Sequence, residues 1–472
     1  MWRDIDDDGS RAGGARLSRP VTTLDCAVLG DLFGSEEVRR AFDSSALVQS
    51  WLDVEQTLAR AQAEVGVVLV DAADRIEREA RADLYDLDEL RAGVAESQHP
   101  LVPLVRALAE RCGEAGGFVH WGATTQDVVD TGLVLQVRAA LGPIRRDLRR
   151  SAVAAASLAL EHRSLPMAGR THGQHAVPIT FGLKAASWAD ELLRCEQRLE
   201  SAAAALSTAQ LAGAAGTLAS LGDDAAPVRA AFCRLLNLAE PDVPWHAARD
   251  RVRDLGHALA ELGAAGERIA SEVIRLQATE TAELSEPSGP ESVGSSTMPQ
   301  KRNPMTSEYL VASARLLRGA VSVLLDAPAH AGERDMGAWA AEWVAVPQAL
   351  ILAGGVVEKL AGILEGLVVD GGRMRSNLDL TRGAILSEAA MMELARSVGH
   401  ERAHALVTAV SRRAEAGSTT LAAALLENDE VSTHFSPEDV ERLADPTGYL
   451  GLAAAAADAV AARSGIPAEV SS

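Results

Sequence analysis

The chain has 472 residues and a mass of 49.5 kDa, about three average domains of polymer, so a single small binding module is excluded. Lys and Arg number 45 against 66 Asp and Glu, a formal net charge of -21, which argues against nucleic acid or an anionic membrane as the main partner and demands a local basic pocket for any anionic substrate. Aromatic residues are only 3 %, and the abundance of Ala, Leu, Arg and Glu favours long helices over pleated sheets.

Residues 1–20 are rich in Asp, Gly and Arg with little to bury and read as a disordered tail. They lack the apolar core of a secretory signal, so a cytoplasmic location is expected. Asp43 and Ser44 can cap a helix reaching Val68 that places Leu47, Trp51, Val54, Leu58 and Ala61 on one face. Further short helices complete an N-terminal helical domain over 21–116.

The next region, 117–367, differs in kind. A helix is expected between about Asp127 and Glu161, with a kink at Gly142-Pro143. Phe181, Ala185, Trp188, Leu192, Cys195, Leu199 and Ala202 alternate four- and three-residue steps, as do Val252, Leu255, Leu259, Leu262, Gly266, Ile269, Val273 and Leu276. A third stripe runs through Leu310, Ala314, Leu317, Val321 and Leu324. A period of about 3.5 residues held this long is the seam of a long-helix bundle, with Gly266, Ala185 and Ala202 permitting close approach. So much apolar stripe on a rod is usually buried against other subunits, and oligomerisation is expected.

After Val369 the pattern returns to short helices broken by Gly and Pro, a C-terminal helical domain over 368–472. Its most apolar run, Tyr449 to Ala462, is short and interrupted by Asp458, and so reads as a packed helix and not as a membrane span. Cys26, Cys112, Cys195 and Cys233 form no CxxC and have no His at metal-ligand spacing, so they read as small buried residues in a reducing compartment.

Three polar, glycine-containing segments flank the long helices. In Gly122-Ala123-Thr124-Thr125-Gln126-Asp127 the hydroxyls and the amide precede a helix; Thr125 or Asp127 can cap it, or the segment can cradle a carboxylate at a positive helix end. Gly169-Arg170-Thr171-His172-Gly173-Gln174-His175-Ala176 crowds groups that are expensive to bury unpaired and suits anion binding and proton transfer. The segment 285–304 is turn-rich and expected to be a mobile loop, and ends in Lys301, Arg302 and Asn303 at the start of the Leu310 helix. A Ser flanked by Gly with cationic and amide neighbours suits an activated hydroxyl beside an oxyanion site.

Gly294 to Pro304, GSSTMPQKRNP, closely resembles the signature of the fumarase/aspartase superfamily, and the GATTQD and GRTHGQHA segments resemble its two other motif regions in order and spacing. The resemblance spans Leu24 to Ala462. It implies three all-α domains, a homotetramer with a twenty-helix core, and active sites each assembled from the three motif regions of three chains, with no metal or organic cofactor. The implied reaction removes a proton beside a carboxylate, passes through an aci-carboxylate and expels a β leaving group, usually giving fumarate from a small dicarboxylate. By position in the motifs, Ser295 is implied as general base, and Lys301 and Asn303 as ligands of the carboxylate whose charge grows. Thr124, Thr125 and Gln126 are implied as substrate ligands from a second chain. His172, with Thr171 and Gln174, comes from a third, as general acid or leaving-group ligand. His99, in Ser97-Gln98-His99-Pro100, Gln210 and Arg334 are further substrate-binding positions carried over from the family.

The phrases LVPLVRAL, GLVLQVRAAL, GAAGTLASLGDD and NLDLTRGAILSEAAMM resemble the 3-carboxy-cis,cis-muconate cycloisomerase branch. Its cycloisomerases commonly carry a large non-titrating residue such as Trp at the position of His172, whereas THGQ keeps the His of the eliminating lyases. The function expected from this is elimination from a substituted succinate, nitrosuccinate first, giving fumarate and nitrite. Lactone formation from 3-carboxy-cis,cis-muconate is second and adenylosuccinate-type cleavage third. Retention of the site residues argues against a purely structural role of the kind this fold serves in lens crystallins.

Overall fold

The computed structural model describes residues 22–287, 298, 300–326 and 329–466, and contains seventeen α-helices and four short strands among them. Residues 1–20 and Ser295 lie outside the described residues.

The helix capped at Asp43, α1 (Ser44–Val65), begins with the Asp43 carboxylate accepting the Ala46 N–H and ends at Gly66, whose φ of 91° a side chain would resist. A shorter helix, α2 (Val102–Cys112), precedes the five long ones: α3 (Thr125–Glu161), α4 (Phe181–Leu206), α5 (Asp250–Gln277), α6 (Met305–Leu325) and α7 (Met336–Glu365). Every position of the three heptad stripes is buried, as the pattern requires. The α3 helix continues through Gly142-Pro143, with Pro143 inside it.

Cross-contacts fix the directions. Lys184 at the start of α4 pairs with Glu272 near the end of α5 at 2.7 Å, while Arg251 at the start of α5 donates to the Ala205 carbonyl near the end of α4. Along α5 and α6, Gly256 faces Leu324, Gly263 faces Leu317 and Gly266 lies near Leu310. Trp339 of α7 meets Asp130 of α3, and Glu365 meets Arg150 further along both. Helices α3, α5 and α7 therefore run one way, and α4 and α6 the other. A Cβ at Gly263 would sit 2.8 Å from the Leu317 side chain, so glycine is what lets α5 and α6 approach this closely.

Helix α7 lacks a polar face because it is enclosed by α3, α5 and α6; it is long and apolar enough to cross a membrane, but 67 % of its most apolar window is buried. The thiols of Cys195 and Cys233 are pushed up to about 11 by burial, and all four cysteines are free.

Between α3 and α4 the chain makes an antiparallel hairpin, β1 (Pro166–Thr171) and β2 (Gln174–Thr180). Strands β3 (Leu284–Ser285) and β4 (Val368–Val369) pair beyond α5. Then follow α8 (Gly371–Leu378), α9 (Ser387–Val398) and α10 (His400–Ala416), the last two enclosing a core of their own around Leu394, Val410 and Phe435. The last helix, α11 (Ala453–Arg463), packs back on the bundle, where Arg163 pairs with Asp458 and Arg463 with Asp190.

Candidate active site

The GATTQD segment is ordered around one buried carboxylate. Thr124 is the N-cap of α3 and Asp127 sits at N3, in place of the expected cap by Thr125 or Asp127. The Asp127 carboxylate accepts the N–H groups of Thr124 (3.0 Å), Ala212 (3.0 Å) and Gly213 (2.9 Å) and lies 2.9 Å from His246 Nε2. A charge buried this completely persists only with such donors around it.

Gln126 is fully buried, and its carbonyl oxygen accepts from Arg334 Nε at 2.7 Å while its amide donates to the His246 carbonyl. It therefore holds Arg334, the carry-over expected to bind substrate. The Arg334 Nη2 in turn lies 3.4 Å from Thr124 Oγ1 and 3.2 Å from the Ala214 carbonyl. Thr125 Oγ1 lies 3.3 Å from His99 Nε2. His99 Nδ1 accepts the N–H groups of Leu101 and Val102 at the start of α2, so the ring proton sits on Nε2 and points at Thr125. Gln210 is buried on the same wall, exchanging backbone bonds with the Thr131 hydroxyl and accepting the Trp245 N–H, while its amide nitrogen has no partner among the described residues. Thus Thr124, Thr125, Gln126, His99, Gln210 and Arg334 are brought together.

Beneath them lies a charge cluster that sequence reasoning missed. Fully buried Arg249 donates to both oxygens of Asp130, at 2.8 and 3.1 Å, and to Glu342, at 3.0 and 2.5 Å, with the Trp245 ring 4.8 Å from its guanidinium. Burial pushes the Glu342 carboxyl up against the pull of Arg249. The cluster gathers the N-termini of α3, α5 and α7 at one end of the bundle, so three positive helix ends face the same place. His120 was missed too. Its N–H and Nδ1 both meet the buried Glu55 carboxylate, at 3.1 and 2.6 Å. Burial lowers its proton affinity, but the Glu55 charge and hydrogen bond outweigh this and hold it above the ordinary imidazole value. The available signal was Glu55 itself, an acid set among the apolar positions of α1.

The other two motifs lie elsewhere. GRTHGQHA, expected as a polar stretch ahead of a helix, forms the hairpin, and His172 (φ 53°) and Gly173 (φ 74°) are the two residues of its turn, the positive-φ pair of a type I′ connection. Thr171, His172 and Gln174 are exposed at its tip. Arg170 is instead drawn inward onto Glu283. Burial, and after it the Arg170 charge, lower the proton affinity of His175 below the ordinary imidazole value. Lys301 is exposed and Asn303 half-buried at the start of α6, where Gln277 donates to the Arg302 carbonyl and Glu286 accepts the N–H groups of Thr306 and Ser307.

The hairpin follows the far end of α3, whose 37 residues span about 55 Å at 1.5 Å each. One chain therefore does not bring Thr124, Thr125 and Gln126 to His172, Thr171 and Gln174.

Residues 34–319 match the family model described as Lyase, and 383–460 that described as Adenylosuccinate lyase C-terminus. A 3-carboxy-cis,cis-muconate cycloisomerase of Pseudomonas aeruginosa is 43% identical, covering 90% of this chain and 93% of its own. A nitrosuccinate lyase of Streptomyces davaonensis is 39% identical, covering 92% and 94%. The crystal structure of the 3-carboxy-cis,cis-muconate lactonizing enzyme from Pseudomonas putida superimposes with a TM-score of 0.88 at 39% identity over 93% of this chain and 99% of that one. With both family models matched and likeness along nearly its whole length, the chain belongs to the fumarase/aspartase superfamily of lyases.

Proposed function

We propose that this lyase interconverts 3-carboxy-cis,cis-muconate and its lactone. The observation that carries the reading is the 43% identity to the Pseudomonas aeruginosa cycloisomerase over nine-tenths of both chains. In the lactone-forming direction a carboxylate oxygen adds to the carbon β to a second carboxylate, whose aci form takes up the electron pair, and a proton is delivered to the α carbon. Reversed, this is β-elimination with a carboxylate as leaving group, the same chemistry as loss of nitrite from nitrosuccinate.

Ser295 exchanges the α proton. Its hydroxyl is too weakly acidic to be a base unaided, so backbone amides and positive charge must stabilise the alkoxide. Lys301 and Asn303 hold the carboxylate that gains charge. Thr124, Thr125 and Arg334, with His99, Gln126 and Gln210 behind them, receive a carboxylate on a second chain, and His172, Thr171 and Gln174 reach in from a third. The separation of about 55 Å between the motif regions within one chain and the exposed hairpin tip support a homotetramer with sites shared by three chains.

A second reading, elimination from nitrosuccinate, is favoured by His172, which supplies a titratable group where cycloisomerases commonly carry Trp. Purified protein is to be incubated with 3-carboxy-cis,cis-muconate and with nitrosuccinate, following lactone in one and nitrite with fumarate in the other. Lactone alone supports the first reading. Equimolar nitrite and fumarate without lactone replaces it by the second, and neither product removes both.

A further inference from the structure

The Glu283 carboxylate is fully buried and held from two sides of the fold. Arg170 donates to both its oxygens, at 2.8 and 2.6 Å, and Asn377 of α8 donates to one of them at 2.7 Å. The backbone at this point is pinned as well. Glu283 N–H donates to the Leu276 carbonyl at the end of α5, its carbonyl accepts the Asp370 N–H, and Arg373 donates to the carbonyls of Glu280 and Thr281. Arg170 lies two residues before the His172 turn. Glu283 immediately precedes β3, and three residues on Glu286 caps α6, the helix that follows Lys301 and Asn303.

Buried ion pairs contribute little net stability, because desolvation offsets attraction. What the forked pair does supply is direction and distance, since guanidinium and carboxylate meet in one planar arrangement. Two elements that carry proposed site residues are thus set against each other by a single carboxylate.

We propose that Glu283 is a positioning residue that fixes the His172 hairpin and the entry to the signature segment in one register, and that it thereby serves two active sites at once. This rests on the shared-site reading above, in which the hairpin and the signature segment of one chain face different sites. Damage at Glu283 then propagates to both, although Glu283 touches no substrate.

The first test is Glu283→Gln, with folding checked by thermal midpoint and oligomer size. Its kcat is expected to fall about 10- to 100-fold, the effect of a small misplacement of reacting groups, with KM little changed. An unchanged kcat overturns the proposal. The second test purifies mixed oligomers from co-expressed, differently tagged chains. His172→Ala mixed with Lys301→Met is the control, in which activity recovers because some sites draw an intact hairpin from one chain and an intact signature from another. Glu283→Gln mixed with either of these variants is expected to recover nothing, because its own chain supplies neither element in good order. Recovery with either partner means that Glu283 supports one element only and overturns the two-site claim. No recovery in the control overturns the shared-site reading, and the two-site claim falls with it. Should Glu283→Gln not fold, Asn377→Ala, which leaves the Arg170 pair intact, is expected to give the same pattern with a smaller loss; full activity in that variant overturns the proposal.

Discussion

The two ends of the five-helix bundle treat their polar groups in opposite ways. At the Thr124 end almost every charge is completed inside the chain: Asp127 by three backbone N–H groups and His246, Arg334 by Gln126, and Arg249 by two carboxylates. At the hairpin end Thr171, His172 and Lys301 are exposed and make no side-chain hydrogen bond among the described residues, and Gln174 makes only a 3.5 Å contact with its neighbour's carbonyl. The supports behind that surface are paired: Arg170 with Glu283, and Glu286 with the first amides of α6. A surface that must hold a carboxylate in place gains from donors already oriented. On the shared-site reading proposed above, the exposed hairpin groups would complete their contacts only against a second chain.

The largest expected loss is that of the proposed base. Ser295→Ala is expected to bind substrate but lose turnover by about a thousandfold, and single-turnover kinetics beside a binding titration separate the two; retained turnover takes Ser295 out of the base role. At the closed end the largest loss is in folding. Arg249→Met strands Asp130 and Glu342 as buried charges without a counter-ion and is expected to cost about 3–5 kcal/mol, read from denaturant unfolding. Arg334→Leu removes a charge-assisted contact worth about 1.5–3 kcal/mol and is expected to raise KM roughly ten- to a hundredfold with kcat less affected; an unchanged KM would place Arg334 outside the site.

A smaller effect tests how far pairing at the closed end depends on protonation. His120 is held above its ordinary value of 6.5 by Glu55, so its stabilisation is complete below that value and is lost as pH rises through the higher folded-state value. The gap in thermal midpoint between wild type and His120→Gln is expected to narrow as the pH is raised, and a gap independent of pH removes the charged pair. Smallest is Thr125→Val, which deletes the His99 contact and is expected to raise KM by about three- to tenfold, near 1 kcal/mol.

What could be read from the sequence follows what is local. The three heptad stripes repeat within single helices, and every stripe residue is buried where the period puts it. Helix α7 left no stripe to read, because neighbours enclose it on several sides and its apolar residues occur all around. The hairpin was hidden by its turn, since His172 and Gly173 adopt positive φ in a segment whose polar side chains drew attention first. The Arg249 cluster and the Glu55–His120 pair join residues 65 to 119 positions apart, beyond the reach of any periodic pattern. The motif residues were identified by resemblance, but their division between two ends of the bundle emerged only once α3 was seen to run unbroken between them.

The position of α7 in the chain carries a consequence for biosynthesis. Its long-helix neighbours α3, α5 and α6 all precede it, and chains are made from the N-terminus. When this most apolar helix leaves the ribosome, the groove that will receive it has already been synthesised, so the time it spends in contact with water or with the membrane-insertion machinery is short. A circular permutant that places α7 first would reverse that order and leave the nascent chain carrying a membrane-competent segment with nothing yet made to cover it.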